Sequence, residues 1–303
     1  MNFKKLEIAD YPALKHFFSN IPYRLSIYSL PSLIAWSNCV FEARYAVDGE
    51  LLIISNESEM RPEERHLILP LSLSGDVLPE KLLDLAVRLG FQSYWYIPGD
   101  YVERHRQGLE PLFVMEEQEE FEDYVYLAED LAHLKGNRYV RKRNLIHQFE
   151  REFMTNGVRV HVEPITAASV PECLAFLEAW CKQRDCDVDE DIDLACERMA
   201  VITSLENFEA LELKGIQIRV DGAVNAFGIA ARLNEEMGIL SYEKAYSDVK
   251  GLYQYLDNEC AKHLFAGYRY INKESDMSLP NLARMKRSYR PVMRVKSCKL
   301  TIK

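Results

Sequence analysis

The 303 residues contain no apolar run long enough to cross a bilayer, no His-x-x-x-His pair and no cysteines paired at zinc-site spacing. The first absence argues against a membrane-spanning helix, and the other two leave no basis for expecting a metal. The seven histidines are scattered. The seven cysteines are an odd number, with Cys181 and Cys186 the nearest pair, and read as buried or free thiols. Positive charge is also in deficit: 37 Lys and Arg face 47 Asp and Glu, a formal net charge of -10. Broad adhesion to nucleic acid or anionic membrane is disfavoured, so any anion site has to be local. The opening MNFKKLEIADYPALKHFF carries charges where a signal peptide would be apolar. The expectation is a cytoplasmic protein, with a position peripheral to a membrane left open. DCDVDEDID, 185 to 193, alternates acids in the manner of a calcium loop but lacks its central Gly and closing Glu, and reads as a solvated helix start.

What is present suits a folded α/β protein: 48% hydrophobic and 28% charged residues, in a chain long enough for two cores. FKKLEI (3 to 8) reads as a strand, YPALKHFFSN (11 to 20) as a helix and Pro31 to Asn38 as a second. Two β runs flank Asp48-Gly49, a favoured hairpin dipeptide. HLILPLS (66 to 72) reads as a strand, 78 to 91 as an amphipathic helix stopped at Gly90, and QSYWYI (92 to 97) as a strand. The second half repeats that order. A strand over 158 to 165 precedes helices over 170 to 184 and 191 to 205. FEALELK, IQIRVDGAVNAFGIAARL and MGILSYEKAY then supply successive strands, followed by a helix over 251 to 265, the strand YRYI (268 to 271) and a closing β segment, PVMRVKSCKLTI. Strand, two helices, antiparallel strands, helix, strand predicts mixed sheets. This order resembles the GNAT acyltransferase fold, in tandem, with domains over 1–128 and 129–303.

LAHLKGNRYVRKRNLIHQFE, 131 to 150, gathers Lys135, Arg138, Arg141, Lys142 and Arg143 into nine residues, just after eight carboxylates between Glu116 and Asp130. Gly136-Asn137 predicts a break, with Asn137 capping a helix over 138 to 154. Cations oppose the helix dipole at that end, and a bound phosphate would relieve the conflict. Pairing with the preceding acids across a solvated surface is the competing reading. The segment resembles the one that opens the second domain in the DUF2156 family, related to the C-terminal domain of phosphatidylglycerol lysyltransferase. INKESDMSLPNLARMKRSYRPV resembles that family's late pattern, here Asn272, Glu274, Asp276, Leu282, Lys286, Tyr289 and Pro291. The resemblance implies a tandem GNAT fold and kinship with enzymes that move aminoacyl groups from aminoacyl-tRNA to lipid or peptide amines and hydroxyls.

A GNAT-like donor site needs free backbone N–H groups at a helix start. The corresponding slot is SDVKGLYQYL, where Lys250 and Gly251 fit, Asp248 stands in place of a base or amide, and Tyr253 replaces a small residue. The first half has Gly75 but no phosphate-loop spacing, and reads as a structural or acceptor-binding partner. Acid–base candidates are Glu243 and Tyr242 on the preceding strand, with Glu274, Asp276 and Tyr289 from the late motif. The resulting expectation is an acyl- or aminoacyltransferase. Its donor is a CoA thioester or aminoacyl-tRNA, with no tightly bound cofactor, and its acceptor is an amine or hydroxyl on a lipid, peptide or small molecule. Lys135, Arg138, Arg141, Lys142 and Arg143 would bind carrier phosphate or a lipid head group, Lys250, Gly251 and Tyr253 the donor, and Asn272, Asp276 and Lys286 the acceptor. The alternative is a noncatalytic module for a phosphorylated ligand or protein partner, favoured by Asp248 and Tyr253.

Overall fold

The computed structural model describes residues 1–19, 21–37, 41–154, 157–183 and 192–303. Cys186 and residues 185–191 of the acid-rich stretch lie outside the described residues. The first half runs β1 (Lys4–Lys5), α1 (Tyr11–Phe18), α2 (Leu30–Trp36), β2 (Glu42–Asp48), β3 (Leu51–Glu57), β4 (His66–Leu67), β5 (Leu71–Ser72), α3 (Pro79–Leu89), β6 (Ser93–Pro98), α4 (Gly99–Leu109) and β7 (Phe113–Glu117). Next come β8 (Asp123–Leu127), α5 (Ala128–His133), α6 (Val140–Phe153), β9 (Val160–Pro164), α7 (Val170–Lys182), α8 (Ile192–Glu206), β10 (Lys214–Val220), β11 (Ala223–Arg232) and β12 (Met237–Ala245). The chain closes with α9 (Leu252–Leu264), β13 (Tyr270–Asn272), α10 (Pro280–Ser288), β14 (Met293–Val295) and β15 (Ser297–Ile302).

The strands form two mixed sheets, ordered β1-β2-β3-β4-β6-β15-β7, with β5 beside β3, and β14-β8-β13-β12-β11-β10-β9. Each has an antiparallel set that meets a strand–helix–strand unit through one parallel contact: Leu67 opposite Tyr94 in the first, and Met237–Ile239 opposite Tyr270–Asn272 in the second. This is the GNAT-like order expected of each half. The expected boundary at 128/129 does not separate the sheets, however. β8 follows the first half's β7 in sequence yet pairs with β13 and β14, and β15 follows β14 yet lies between β6 and β7. The halves have exchanged their equivalent strands, which no local periodicity encodes.

Other differences have local causes. The strand over 66–72 splits into β4 and β5 around Pro70, which has no N–H for a ladder. FEALELK is no strand up to Lys214: Leu211 N–H binds Asn207 O at 2.9 Å and Leu213 N–H binds Phe208 O at 3.0 Å, winding off α8 with Glu212 at φ 52°. Its alternating Leu211 and Leu213 imitate a strand because both are buried. The segment 291–302 is two strands, one in each sheet. The helix expected from 138 begins at Val140, after a 3-10 turn over Asn137–Tyr139. Cys173, Cys260 and Cys298 are buried free thiols and Cys181 is buried too, while Cys196 is in a disulfide, which corrects the expectation of thiols throughout. Sequence spacing, read only for close pairs, did not point to it.

One face of the second sheet packs on α7 and α8, and its core, with Phe176, Leu177, Phe227 and Tyr242, is continuous with that of the first half. The opposite face packs on α5, α6 and α9 through Ile146, Phe149, Leu252, Leu256 and Tyr289. Removing residues 297–303 deprives β6 and β7 of their shared neighbour. Amide exchange should then speed up at 93–98 and 113–117 while β10–β12 stay protected. Unchanged protection of β6 would mean that the first half closes without β15.

Candidate functional site

Parallel pairing of β12 with β13 ends at Ile239 and Asn272. Beyond it, the Lys273 N–H binds Tyr124 O of β8 at 2.9 Å, so the chain leaves β12 and the sheet opens. β12 is itself irregular here, its register against β11 shifting between Ile229 and Ala230. The Lys273 side chain reaches back across the opening, with Nζ 2.7 Å from Glu243 Oε2 and 2.9 Å from Asp257 Oδ1 of α9. All three side chains are largely buried, with 5%, 16% and 5% exposure. The Tyr289 side chain lies beside Asp257, and Lys273 Nζ is 5.3 Å from the centre of its ring. Lys142 of α6 lies with Nζ 3.7 Å from the centre of the Tyr289 ring, a cation–π contact.

Two carboxylates thus surround one ammonium in a buried site. Burial and the Asp257 charge push the Glu243 carboxyl up to about 7. Burial opposes the charge on Lys273, but Asp257 and Glu243 outweigh it and hold the ammonium protonated. Burial brings the Lys142 amine down to about 8, with Asp257 opposing and Lys273 reinforcing that shift. Glu243 Oε1 is buried and has no hydrogen-bond partner among the described residues. The opening therefore holds a carboxyl poised near neutrality, with one acceptor atom free, beside a lysine of lowered basicity. That is general acid–base equipment.

The late motif mostly builds this site's frame rather than facing a ligand. Lys286 Nζ donates to the carbonyls of Lys273 at 2.5 Å, Glu274 at 3.2 Å and Ser275 at 2.5 Å, using all three of its protons. Asn272 Nδ2 binds Arg24 O at 2.9 Å and Asp123 Oδ2 at 2.8 Å, and its Oδ1 accepts the Glu274 N–H at 2.7 Å. Asp276 accepts the Tyr124 hydroxyl at 2.5 Å and the Ser278 N–H at 3.0 Å. The expected acceptor-binding role of Asn272, Asp276 and Lys286 is corrected on this ground: their polar atoms are already bonded within the protein. Glu274, at φ 58°, has its carboxyl raised to about 8 by burial and the charge of Asp123, and it acts on Tyr242. Tyr242 belongs to the core on the α7 and α8 face, whereas its neighbour Glu243 reaches α9. Of the expected catalytic residues, only Tyr289 stands with Glu243.

The expected donor loop is partly covered. Gly251 has φ 85°, and a Cβ built there would lie 2.1 Å from Leu145 O of α6, so the helix backbone occupies the space at this glycine. Asp248 and Lys250 are exposed, and Tyr253 is half-buried against the α6–α9 core. The five cations do not form one anion site. Arg138 pairs with Asp130 at 2.6 Å and Lys135 with Glu129 at 3.6 Å; Arg143 donates to the carbonyls of Leu134 and, at 2.8 Å, Gly136. Arg141 is exposed, and Lys142 alone turns to the opening. Lys273 and Asp257 were not singled out from sequence. Their signal was available: Lys273 stands inside the late motif, and Asp257 opens a polar triplet buried in α9. Among the described residues no His, Cys, Asp and Glu group is placed to hold a metal.

A family model described as phosphatidylglycerol lysyltransferase, C-terminal, matches residues 76–298. A conserved protein of unknown function from Bacteroides thetaiotaomicron VPI-5482 is 28% identical, with all of both chains covered and a TM-score of 0.89. The C-terminal DUF2156 domain of a lysylphosphatidylglycerol synthetase so far only assigned as such, from Agrobacterium fabrum, is 12% identical with a TM-score of 0.65, over 97% of this chain and 92% of that one, and shares the fold. No curated protein matches significantly. Among the described residues no helix is long and apolar enough to cross a membrane.

Lys273→Met leaves two buried carboxylates without their cation and should cost about 3–5 kcal/mol in a urea titration, whereas Arg138→Ala, at an exposed pair, should cost about 1 kcal/mol or less. Because the folded-state affinity of Glu243 for its proton is raised, its contribution to stability is complete at low pH. It is lost as pH rises from the ordinary glutamate value of 4.5 through about 7. Glu243→Gln should flatten that slope, on the order of 1 kcal/mol per pH unit, in denaturation midpoints measured across the window.

Proposed function

Since the chain belongs to the phosphatidylglycerol lysyltransferase C-terminal family, we propose that it transfers an aminoacyl or acyl group from a phosphate-bearing carrier to an amine or hydroxyl acceptor, at the opening between β12 and β13. The observation that carries this reading is the free, buried Oε1 of Glu243 at that opening. In the ionised form Glu243 takes the proton of the acceptor O–H or N–H as that atom attacks the carrier's carbonyl carbon. The same proton then leaves with the carrier's ribose hydroxyl or thiol. Lys273 and Asp257 fix the carboxylate, Tyr289 packs beside them, and Lys142 supplies positive charge for the oxygen on which negative charge develops.

Between the two donors, the covered glycine of the expected phosphate loop favours aminoacyl-tRNA over CoA. A pyrophosphate seated at Gly251 would compete with Leu145 O. The family's name describes lysyl transfer to phosphatidylglycerol, and a lipid hydroxyl is accordingly the first acceptor to try. The second reading, a noncatalytic binder of a phosphorylated ligand, is favoured by Lys273, which bridges the opening where a donor would pass.

Purified protein supplied with labelled aminoacyl-tRNAs, acyl-CoAs and amine or hydroxyl acceptors should consume an aminoacyl-tRNA, with a rate that climbs as pH passes about 7. Glu243→Gln should reduce turnover by about 10²–10⁴-fold while the protein stays folded. Binding of a carrier without turnover under any combination would establish the noncatalytic reading instead.

A further inference from the structure

Residues 277 to 296 hold six Lys and Arg and no Asp or Glu, in a chain whose formal net charge is -10. α10 lies within this stretch. Its buried side is Ala283 and Lys286, the latter fastened to three carbonyls, so the opposite side looks outward. Arg284, Arg287 and Arg290 are exposed there. Arg284 and Arg290 enter no ion pair among the described residues, and Arg287 lies near Tyr124. Interspersed with them are exposed apolar side chains: Met277 at 42%, Leu279 at 55%, Met285 at 36% and Val292 at 47%. The start of α6 adjoins this surface, because the Tyr139 hydroxyl binds Tyr289 O at 3.2 Å and lies in the fields of both Arg138 and Arg290.

Unpaired cations mixed with exposed Leu, Met and Val serve neither solubility nor a protein core. We propose that this surface, α10 with its flanking turns, docks the protein onto an anionic phospholipid bilayer. Each arginine near such a surface contributes a several-fold gain in partition, and the apolar side chains enter the headgroup boundary. A single-stranded nucleic acid would use the same charges but needs exposed aromatic faces for its bases, and the one aromatic residue of the stretch, Tyr289, is only 3% exposed. Charge and apolar exposure together therefore favour lipid. Docking requires no turnover, so it stands or falls separately from the transfer reading.

The test is co-sedimentation of the intact chain with vesicles of phosphatidylcholine alone and of phosphatidylcholine mixed equally with phosphatidylglycerol. Partition onto the anionic vesicles should be at least about 30-fold stronger at low salt and should weaken as salt is raised to about 0.5 M. Arg284→Glu with Arg290→Glu should lower it about tenfold or more, and Leu279→Ser with Met285→Ser several-fold, with the latter loss persisting in salt. If a thermal midpoint shows that one double variant is unfolded, the other variant and the lipid and salt comparisons on the unaltered protein still decide. Equal partition onto both vesicle types overturns the proposal. So does vesicle binding that survives Leu279→Ser with Met285→Ser unchanged while polyuridylate binding collapses with the arginine pair, which would make this a nucleic-acid surface.

Discussion

One buried ammonium holds the second half of this protein open and together. Lys273 lies where two parallel strands cease to pair, and a lysine taken out of water there is tolerable only while Glu243 and Asp257 flank it. Each partner comes from a different element, β12 and α9, so the ion triad fixes the separation of the two strands as well as neutralising charge. Burial, reinforced by the charge of Asp257 across the same ammonium, is why Glu243 retains its proton until near neutrality. Structural necessity and chemical readiness are the same fact seen from two sides.

The frame around Lys273 extends into the first half. The carbonyls of 273 to 275 are gathered by Lys286, and Asn272 is held by Asp123 and Arg24 O. Asp123 in turn accepts the Ser26 N–H at 2.6 Å. It is a buried carboxylate of β8, the strand that the first part of the chain lends to the second sheet. The strand exchange and the site are thereby coupled: the strand that takes over the Lys273 backbone from β12 is also the one that ties residues 24 to 26 to the second sheet.

Much of this was legible in sequence, and the failures are instructive. Helices with a clear apolar stripe, such as α3 and α9, and the hairpin at Asp48-Gly49 follow from local period and turn chemistry. The exchange of β8 and β15 is nonlocal, and nothing in DYVYL or SCKLTI says which sheet either will join. α10 was missed because a nine-residue helix burying little more than Ala283 and Lys286 has almost no apolar signature. The late motif attracted functional roles because Asn, Asp and Lys are chemically versatile. Their versatility is used instead on a loop whose backbone passes through left-handed conformations at Glu274, Met277 and Ser278 and leaves carbonyls to be satisfied.

The basic run of α6 shows how a helix divides what a sequence lumps together. At 3.6 residues per turn, Lys142, Leu145, Ile146, Phe149 and Phe153 share one face, while Arg141, Asn144, His147 and Arg151 share the other. The inward face carries a single cation to the Tyr289 ring, presses the Leu145 carbonyl onto Gly251 and sets the Phe149 ring 4.9 Å from that of Tyr255. Around the helix start the remaining cations answer α5 or face solvent. A choice between a solvated face and an anion site therefore has no single answer for the run as a whole. The density of charge at residues 135 to 143 arises from superposing a capping group, two surface pairs, one solvent-facing arginine and one site lysine. Only Lys142 stands where it can act on chemistry at the opening.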